Sequence, residues 1–278
     1  MIFEFIRHLL LIAPDELKEL GYGRELLAIA ARHSRCGDAW APHLETCRGL
    51  ISEAAKDCPG REHVVVLGSG YLFDVPVEIL SEIFGEVWLV DVIHPPQARD
   101  RAKNLGNIRF IERDLSGVAS ALLRVGHAGS DELPCPNIDL DDLADADLVV
   151  SSNLLSQLPL VPLDFVGKHC SWASAEVRQK FAHNIVDHHL AVLQGLMARV
   201  VVITEVMRLI HDSNEVVERI DPLFGITFPY QGREWTWDIA PRPEIDRHFD
   251  LSLQMVGVMD LATAPHNRSC RNTNLAAP

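Results

Sequence analysis

The sequence predicts an α/β fold: a doubly wound, mostly parallel sheet with a terminal antiparallel hairpin and an N-terminal helical cap. Three observations carry that prediction. Short apolar runs without polar alternation recur from residue 63 onward (VVVL at 64–67, EVWLVD at 86–91, DLVVSS at 147–152, RVVVITE at 199–205), the mark of strands buried on both faces of a sheet. The segments between them are long enough for right-handed crossovers. The first run breaks at Gly68 and Gly70 and passes at once into helical spacing, a strand, turn and helix in the order that makes a nucleotide-type site.

Residues 1–60 read as all-helical. ELLAIAARH and HLETCRGLISEAAK repeat apolar positions every three or four residues, and the opening MIFEFIRHLLLIAP reads as an amphipathic helix closed before Pro14. Asp38, Trp40 and Pro42 suggest a helix-helix connection. The first strand is expected at 63–67, followed by a helix through Val77, Ile79, Leu80 and Ile83 that Asp74 and Pro76 open. Further strands are expected at 86–91, 108–111, 147–152 and 199–205, with a long helix over 174–197 before the last. Residues 115–146 are long for a connection and should hold a helix plus a polar loop. After 205 the runs at 234–239 and 251–261 come without a full helix between them, which fits a hairpin. The expected divisions are therefore a helical cap (1–60), a sheet domain (61–262) and a disordered tail (263–278).

Composition excludes several classes. With 39 acidic against 25 basic residues the formal net charge is −14, and no lysine-arginine cluster offers a phosphate-binding face, so no nucleic-acid partner is expected. No stretch has the length and apolarity of a membrane span, which makes the cytoplasm the default compartment. Six cysteines are too sparse for a disulfide scaffold. His33, Cys36, His43 and Cys47 could share helical faces, but their spacing fits no zinc module, and no metal is expected. His183 and Asp187, four apart on the long helix, read as an ordinary helical pair.

The second strand ends in Asp91, 23 residues after Gly68, close to the offset at which a carboxylate meets the hydroxyls of a bound ribose. The third is followed by Asp114, at the same edge of the sheet. In these residues, and in DLVVSSNLLSQLP at 147–159, the chain resembles the Rossmann-like, class I S-adenosylmethionine-dependent methyltransferases over about residues 61–210 plus the two late strands. The resemblance implies S-adenosylmethionine as cofactor, held by Gly68, Ser69, Gly70, Tyr71, Asp91, Val92, Asp114, Leu115, Ser152 and Asn153. It implies methyl transfer to a small molecule or a peptide. Where the family carries an acidic residue before the first glycine and a third glycine after the second, this chain has Val66 and Leu72, so Ser69 or Asp74 is expected to take the carboxylate's place. A nicotinamide-dehydrogenase reading shares Gly68, Gly70 and Asp91 but needs a glycine where Phe73 stands.

A sulfonium methyl is already activated, so transfer needs alignment and exclusion of water more than a catalytic group. If the acceptor must lose a proton, His169, Glu205 and His211 are the candidate bases. Trp172, Trp235 and Trp237 fall where substrate-covering segments lie. Two alternatives keep the fold: an aminopropyl or aminocarboxypropyl transferase, which attacks a different carbon of the same sulfonium, and a catalytically silent scaffold. Oligomeric state is not readable.

Overall fold

A computed structural model describes residues 14–128, 131–143, 145–213 and 215–266. The amphipathic segment expected before Pro14, Cys270 and most of the tail lie outside the described residues. Five strands, β1 (His63–Leu67), β2 (Glu86–Asp91), β3 (Ile108–Glu112), β4 (Leu148–Ser152) and β5 (Arg199–Asp212), run parallel in the order β3-β2-β1-β4-β5. β8 (Phe249–Val258) pairs antiparallel with both β5 and β7 (Arg233–Ala240), and β6 (Glu215–Ile220) pairs with the far end of β5. The order reverses between β1 and β4, and at such a switch point a crevice opens at the carboxyl ends of the strands.

Alternation along each strand builds two cores. Val65, Leu67, Val149, Val200 and Val202 pack with Leu122, Phe165 and Ile185 on one face, beneath α5 (Ala119–Ala128), α6 (Leu160–His169) and α7 (Ala175–Gly195). Val64, Val66, Val150, Val201 and Ile203 pack with Leu50, Ile51 and Leu80 on the other. That face is covered by α2 (Tyr22–Asp57), which follows the short α1 (Asp15–Leu20), and by α3 (Val77–Ile83) and α4 (Pro96–Ala102).

Several elements differ from the sequence reading. The N-terminal helices are divided not at Asp38–Pro42 but at Cys36 (φ −112°, ψ 18°), where α2, 36 residues in all, joins two helical segments across a kink; Pro42 lies inside the second. Proline removes one helical hydrogen bond and crowds the preceding turn. Tertiary contacts hold the helix through it, with Trp40 Nε1 donating to the Ile239 carbonyl at 2.8 Å. β5 runs on to Asp212 rather than ending near 205, because a bulge at Val206 lets it continue alongside β8. Its partner β6 is exposed on nearly every residue, which leaves no apolar alternation to read. α6, absent from the sequence reading, follows the β4 turn directly.

Candidate functional site

The carboxyl ends of β1, β2, β4 and β5 and the underside of α2 enclose a cavity of about 340 Å3. Gly68 (φ +76°) and Gly70 (φ +47°) take the left-handed backbone conformation that favours glycine. A Cβ on Gly68 would lie 2.9 Å from Leu154 Cδ1, whereas one on Gly70 would meet no atom within 4 Å. Gly68 is thus required by packing, and Gly70 leaves open space in the cavity wall.

All the cofactor candidates named from the sequence line this one cavity: Gly68, Ser69, Gly70, Tyr71, Asp91, Val92, Asp114, Leu115, Ser152 and Asn153. Asp91 accepts from the backbone N–H of Gly70 through Oδ2 and of Val92 through Oδ1, both at 2.7 Å. Burial nevertheless pushes its carboxyl up to about 6, against the opposing pull of those N–H groups. Asp114 accepts from Ser116 N–H at 2.8 Å and Oγ–H at 2.6 Å and from Ala119 N–H at 2.8 Å, tying the loop after β3 to the first turn of α5. Ser69 Oγ lies 3.4 Å from Nδ1 of the buried His94, whose Nε2 reaches the Ile111 carbonyl.

Asp74 does not cap α3, which starts at Val77 with no side-chain cap. It turns into the cavity instead, where its Oδ2 accepts from Ser152 Oγ at 2.6 Å and Asn153 Nδ2 at 2.8 Å. Burial raises this carboxyl too, with the two hydrogen bonds acting the other way. It stands where the sequence reading wanted a substitute for the carboxylate missing at Val66.

Of the candidate bases only Glu205 reaches the cavity. It is buried, and its carboxylate accepts from Arg208 Nε at 2.9 Å and Nη2 at 2.6 Å. The bulge explains the pairing. Residues 205 and 208 would face opposite sides of a regular strand, but the extra residue puts Glu205 beside Met255 and Arg208 beside Leu253 in register, on one face. His169 is exposed at the end of α6, stacked on Phe165 at 4.3 Å. His211 lies on the outer part of β5 with Nε2 2.7 Å from Ser252 Oγ. The structure brings neither to the cavity.

Trp172 is also exposed and elsewhere. Trp235 donates through Nε1 to His43 Nδ1 at 3.0 Å, and Trp237 stacks on His43 with centroids 3.8 Å apart. His43 therefore belongs to an aromatic wall; burial lowers its pKa to about 3. Cys47 Sγ touches the same ring at 3.5 Å, while His33 stacks on Phe73. Among the described residues no cluster of His, Cys, Asp or Glu could hold a metal, and His183 meets the Phe224 carbonyl rather than Asp187.

Sequence reasoning missed Tyr22 and Arg208, both of which line the cavity. The Tyr22 phenol is held well above its ordinary pKa, by burial first and then by the Asp114 carboxylate. Four cavity-lining residues carry a buried polar atom with no hydrogen-bond partner: Tyr71 Oη, Asn153 Oδ1, Trp237 Nε1 and Arg32 Nε. Buried polar groups are rarely left so, and four on one cavity mark surface shaped for a polar ligand.

No protein-family model and no curated protein matches the chain. Solved structures similar to it include the complex of DhpI with SAM and HEP, at 14% identity over 84% of this chain and 80% of that one, TM-score 0.35. Another is 1,6-didemethyltoxoflavin-N1-methyltransferase of Burkholderia thailandensis with 1,6-didemethyltoxoflavin and S-adenosylhomocysteine bound, at 15% identity over 84% of this chain and 90% of that one, TM-score 0.33. A third is an rRNA methylase from Streptococcus thermophilus, at 12% identity over 76% of this chain and 95% of that one, TM-score 0.32. The chain's own strand order, five parallel strands completed by an antiparallel pair with a glycine turn after the first, is the Rossmann-like architecture expected from its sequence.

Proposed function

We propose that the chain binds S-adenosylmethionine and transfers its methyl group to a small molecule. One observation carries the reading: Asp74, Asp91 and Asp114 come from three separate connections and meet on a single cavity with the glycine turn. A nucleoside sulfonium with an amino-acid tail matches that set, offering a ribose diol, an exocyclic amine, an ammonium and a positive sulfur. In this reading Asp91 accepts the ribose hydroxyls through lone pairs its backbone donors leave free. Asp114 faces the adenine amino group between Val92 and Leu115. Asp74, with Ser152 and Asn153, receives the ammonium, and the open space at Gly70 lets the tail pass close to the backbone.

The unpartnered Tyr71 Oη and Asn153 Oδ1 support the fit, since both become satisfied only by a ligand. Phe73, stacked between Tyr71 and His33, fills the place where a dinucleotide site needs glycine. The bound donor supplies an electrophilic methyl. The chain aligns the acceptor in line with the methyl–sulfur bond and keeps water out, as the new bond to the acceptor forms and the thioether leaves. The enclosed, largely apolar acceptor end supports a small molecule over a nucleic acid. No helix among the described residues is long and apolar enough to cross a membrane.

Titration calorimetry with S-adenosylmethionine, S-adenosylhomocysteine and NAD tests this. Both sulfur nucleotides should bind and NAD give no heat. Asp91→Ala should weaken them on the order of tenfold or more, the loss of one hydrogen bond to a charged acceptor. Binding of NAD without S-adenosylhomocysteine would refute the reading, and S-adenosylhomocysteine rather than methylthioadenosine as product would separate methyl from aminopropyl transfer.

A further inference from the structure

The two ends of the cavity carry opposite chemistry. At the glycine turn stand the three carboxylates. At the other end, between α2 and the outer sheet, the buried Glu205 is already taken by the two-pronged contact from Arg208; outside the cavity lining, Glu244 is held by Arg35 Nε at 2.8 Å and Nη2 at 2.6 Å. A third guanidinium, Arg32, lies with Nε 3.5 Å from Glu244 Oε1 in an ion pair without hydrogen-bond geometry. Apart from the exposed Glu25 on the α2 wall, the polar capacity left there is donor: Trp237 Nε1–H, Arg32 Nε–H, and Nη1 of Arg208, which takes no part in the Glu205 pair.

The register brings two of these donors together. Trp237 pairs with Leu253, and Leu253 with Arg208, so Trp237 and Arg208 share a cross-strand row and a face, two strands and about 10 Å apart at the backbone. Trp237 is only 6% exposed, yet its N–H has no partner. Around the row lie Trp40, Ile239, Leu251 and Leu253, an apolar lining in which Trp40 joins Trp237 as a second indole. Buried donors left without a partner suit an oxyanion, and a guanidinium fork and an indole N–H together suit a planar one.

We propose that the methyl acceptor is a flat, largely apolar small molecule bearing a carboxylate, received by Trp237 Nε1 and Arg208. The inference rests on the methyl-transfer reading. The carboxylate is a handle, not the atom methylated. Asn153 N–H bonds the Ile203 carbonyl, and Arg208 stands four ladder positions further along β5, roughly 13 Å at the usual strand rise, so the anchored end is held away from the donor's turn.

The test uses matched probes on one ring: indole-3-acetate, indole-3-acetamide and tryptamine, repeated with the corresponding phenyl and naphthyl sets. Binding is measured by calorimetry, with the protein saturated in S-adenosylhomocysteine and again without it. In at least one set the acid should bind about tenfold or more tighter than the amide, the scale of a charge-assisted contact, and the amine not at all. Trp237→Phe, which removes only the N–H donor, and Arg208→Lys, which keeps the charge toward Glu205 but loses the fork, should each weaken the acid several-fold. S-adenosylhomocysteine affinity, measured first on each variant, controls for folding. An amine binding best, acid and amide alike in every set, or no acid binding in any set would overturn the proposal. Failure of wild type to bind S-adenosylhomocysteine while acids still bind selectively would fall on the methyl-transfer reading and leave the carboxylate site standing.

Discussion

Asp91 is where pH should be felt first. Burial holds its carboxyl at about 6 in the empty cavity, so it is largely protonated at pH 5 and ionised at pH 7.5. Hydroxyl donors prefer the carboxylate, so S-adenosylhomocysteine affinity should rise with pH through about 6 and level off above it. The expected difference is roughly tenfold between pH 5 and 7.5, and a flat calorimetric profile would show that Asp91 is not the ribose acceptor. The same raised value means that the empty native state keeps a proton the unfolded chain has already released. Asp91's contribution to folding stability therefore falls as pH rises between about 4 and about 6. Because its oxygens also tie down Gly70 and Val92, Asp91→Ala should lose about 1–3 kcal/mol of stability, more than a carboxylate facing an open cleft would cost. Tyr71→Phe should do the reverse. Deleting a buried hydroxyl with no partner should raise the melting temperature of the empty protein and weaken cofactor binding, and a lowered melting temperature would mean that the hydroxyl is already satisfied without ligand. The strand-end residues were legible in the sequence because strand period and a glycine turn place them without knowledge of distant contacts. Arg208, Tyr22 and Trp237's free N–H were not, since each depends on an element far off in the chain.

At the level of elements, the sequence located the starts of the parallel strands to within a residue and misread what holds them together. Three- and four-residue spacing announces a helix, but nothing local says that α2 persists through Pro42; the Trp40, His43 and Trp237 contacts decide that. His169 was misplaced because α6 carries it away from the sheet edge, and His211 because β5 runs on past its expected end. A close junction lies where β8 passes under α2. A Cβ on Gly257 would come within 2.5 Å of Leu50 Cδ1 and about 3.0 Å of the Trp235 ring. Leu50 is fully buried and has little room to yield, so Gly257→Ala should cost about 1–3 kcal/mol by overpacking. Urea unfolding measures it; a midpoint equal to wild type would mean that α2 shifts freely over the sheet.

The whole molecule divides its labour along α2. Beyond the kink at Cys36, the helix buries Cys47, Leu50, Ile51, Ala54 and Ala55 as part of the sheet's covering layer. Before it, Tyr22, Leu26, Ile29 and Arg32 roof the cavity, pinned by the Arg35–Glu244 pair and by Arg24 on Asp164 at 2.6 Å. The expectation of a cap over residues 1–60 thus becomes a proposal for the first half of this helix alone. Removing residues 1–35 should abolish turnover while leaving a folded sheet that binds S-adenosylhomocysteine weakly. Undiminished turnover would take the roof out of the mechanism. Cutting at 45 would also strip Trp40 and His43 from Trp237, so the kink is the informative place to cut.

The bulge at Val206 acts as a change of phase. Up to Glu205 the strand keeps the beat of the parallel sheet; one uncounted residue later, every side chain through Ile210 has swapped sides relative to that beat. Deleting Val206 would leave Glu205, Met207 and Arg208 opposite Met255, Gln254 and Leu253 in an unbroken ladder, with Arg208 still facing the cavity. One residue inserted between Met207 and Arg208, by contrast, would move Arg208 opposite Ser252 and out of the cavity, and is expected to change which molecules enter while the glycine turn still holds the donor.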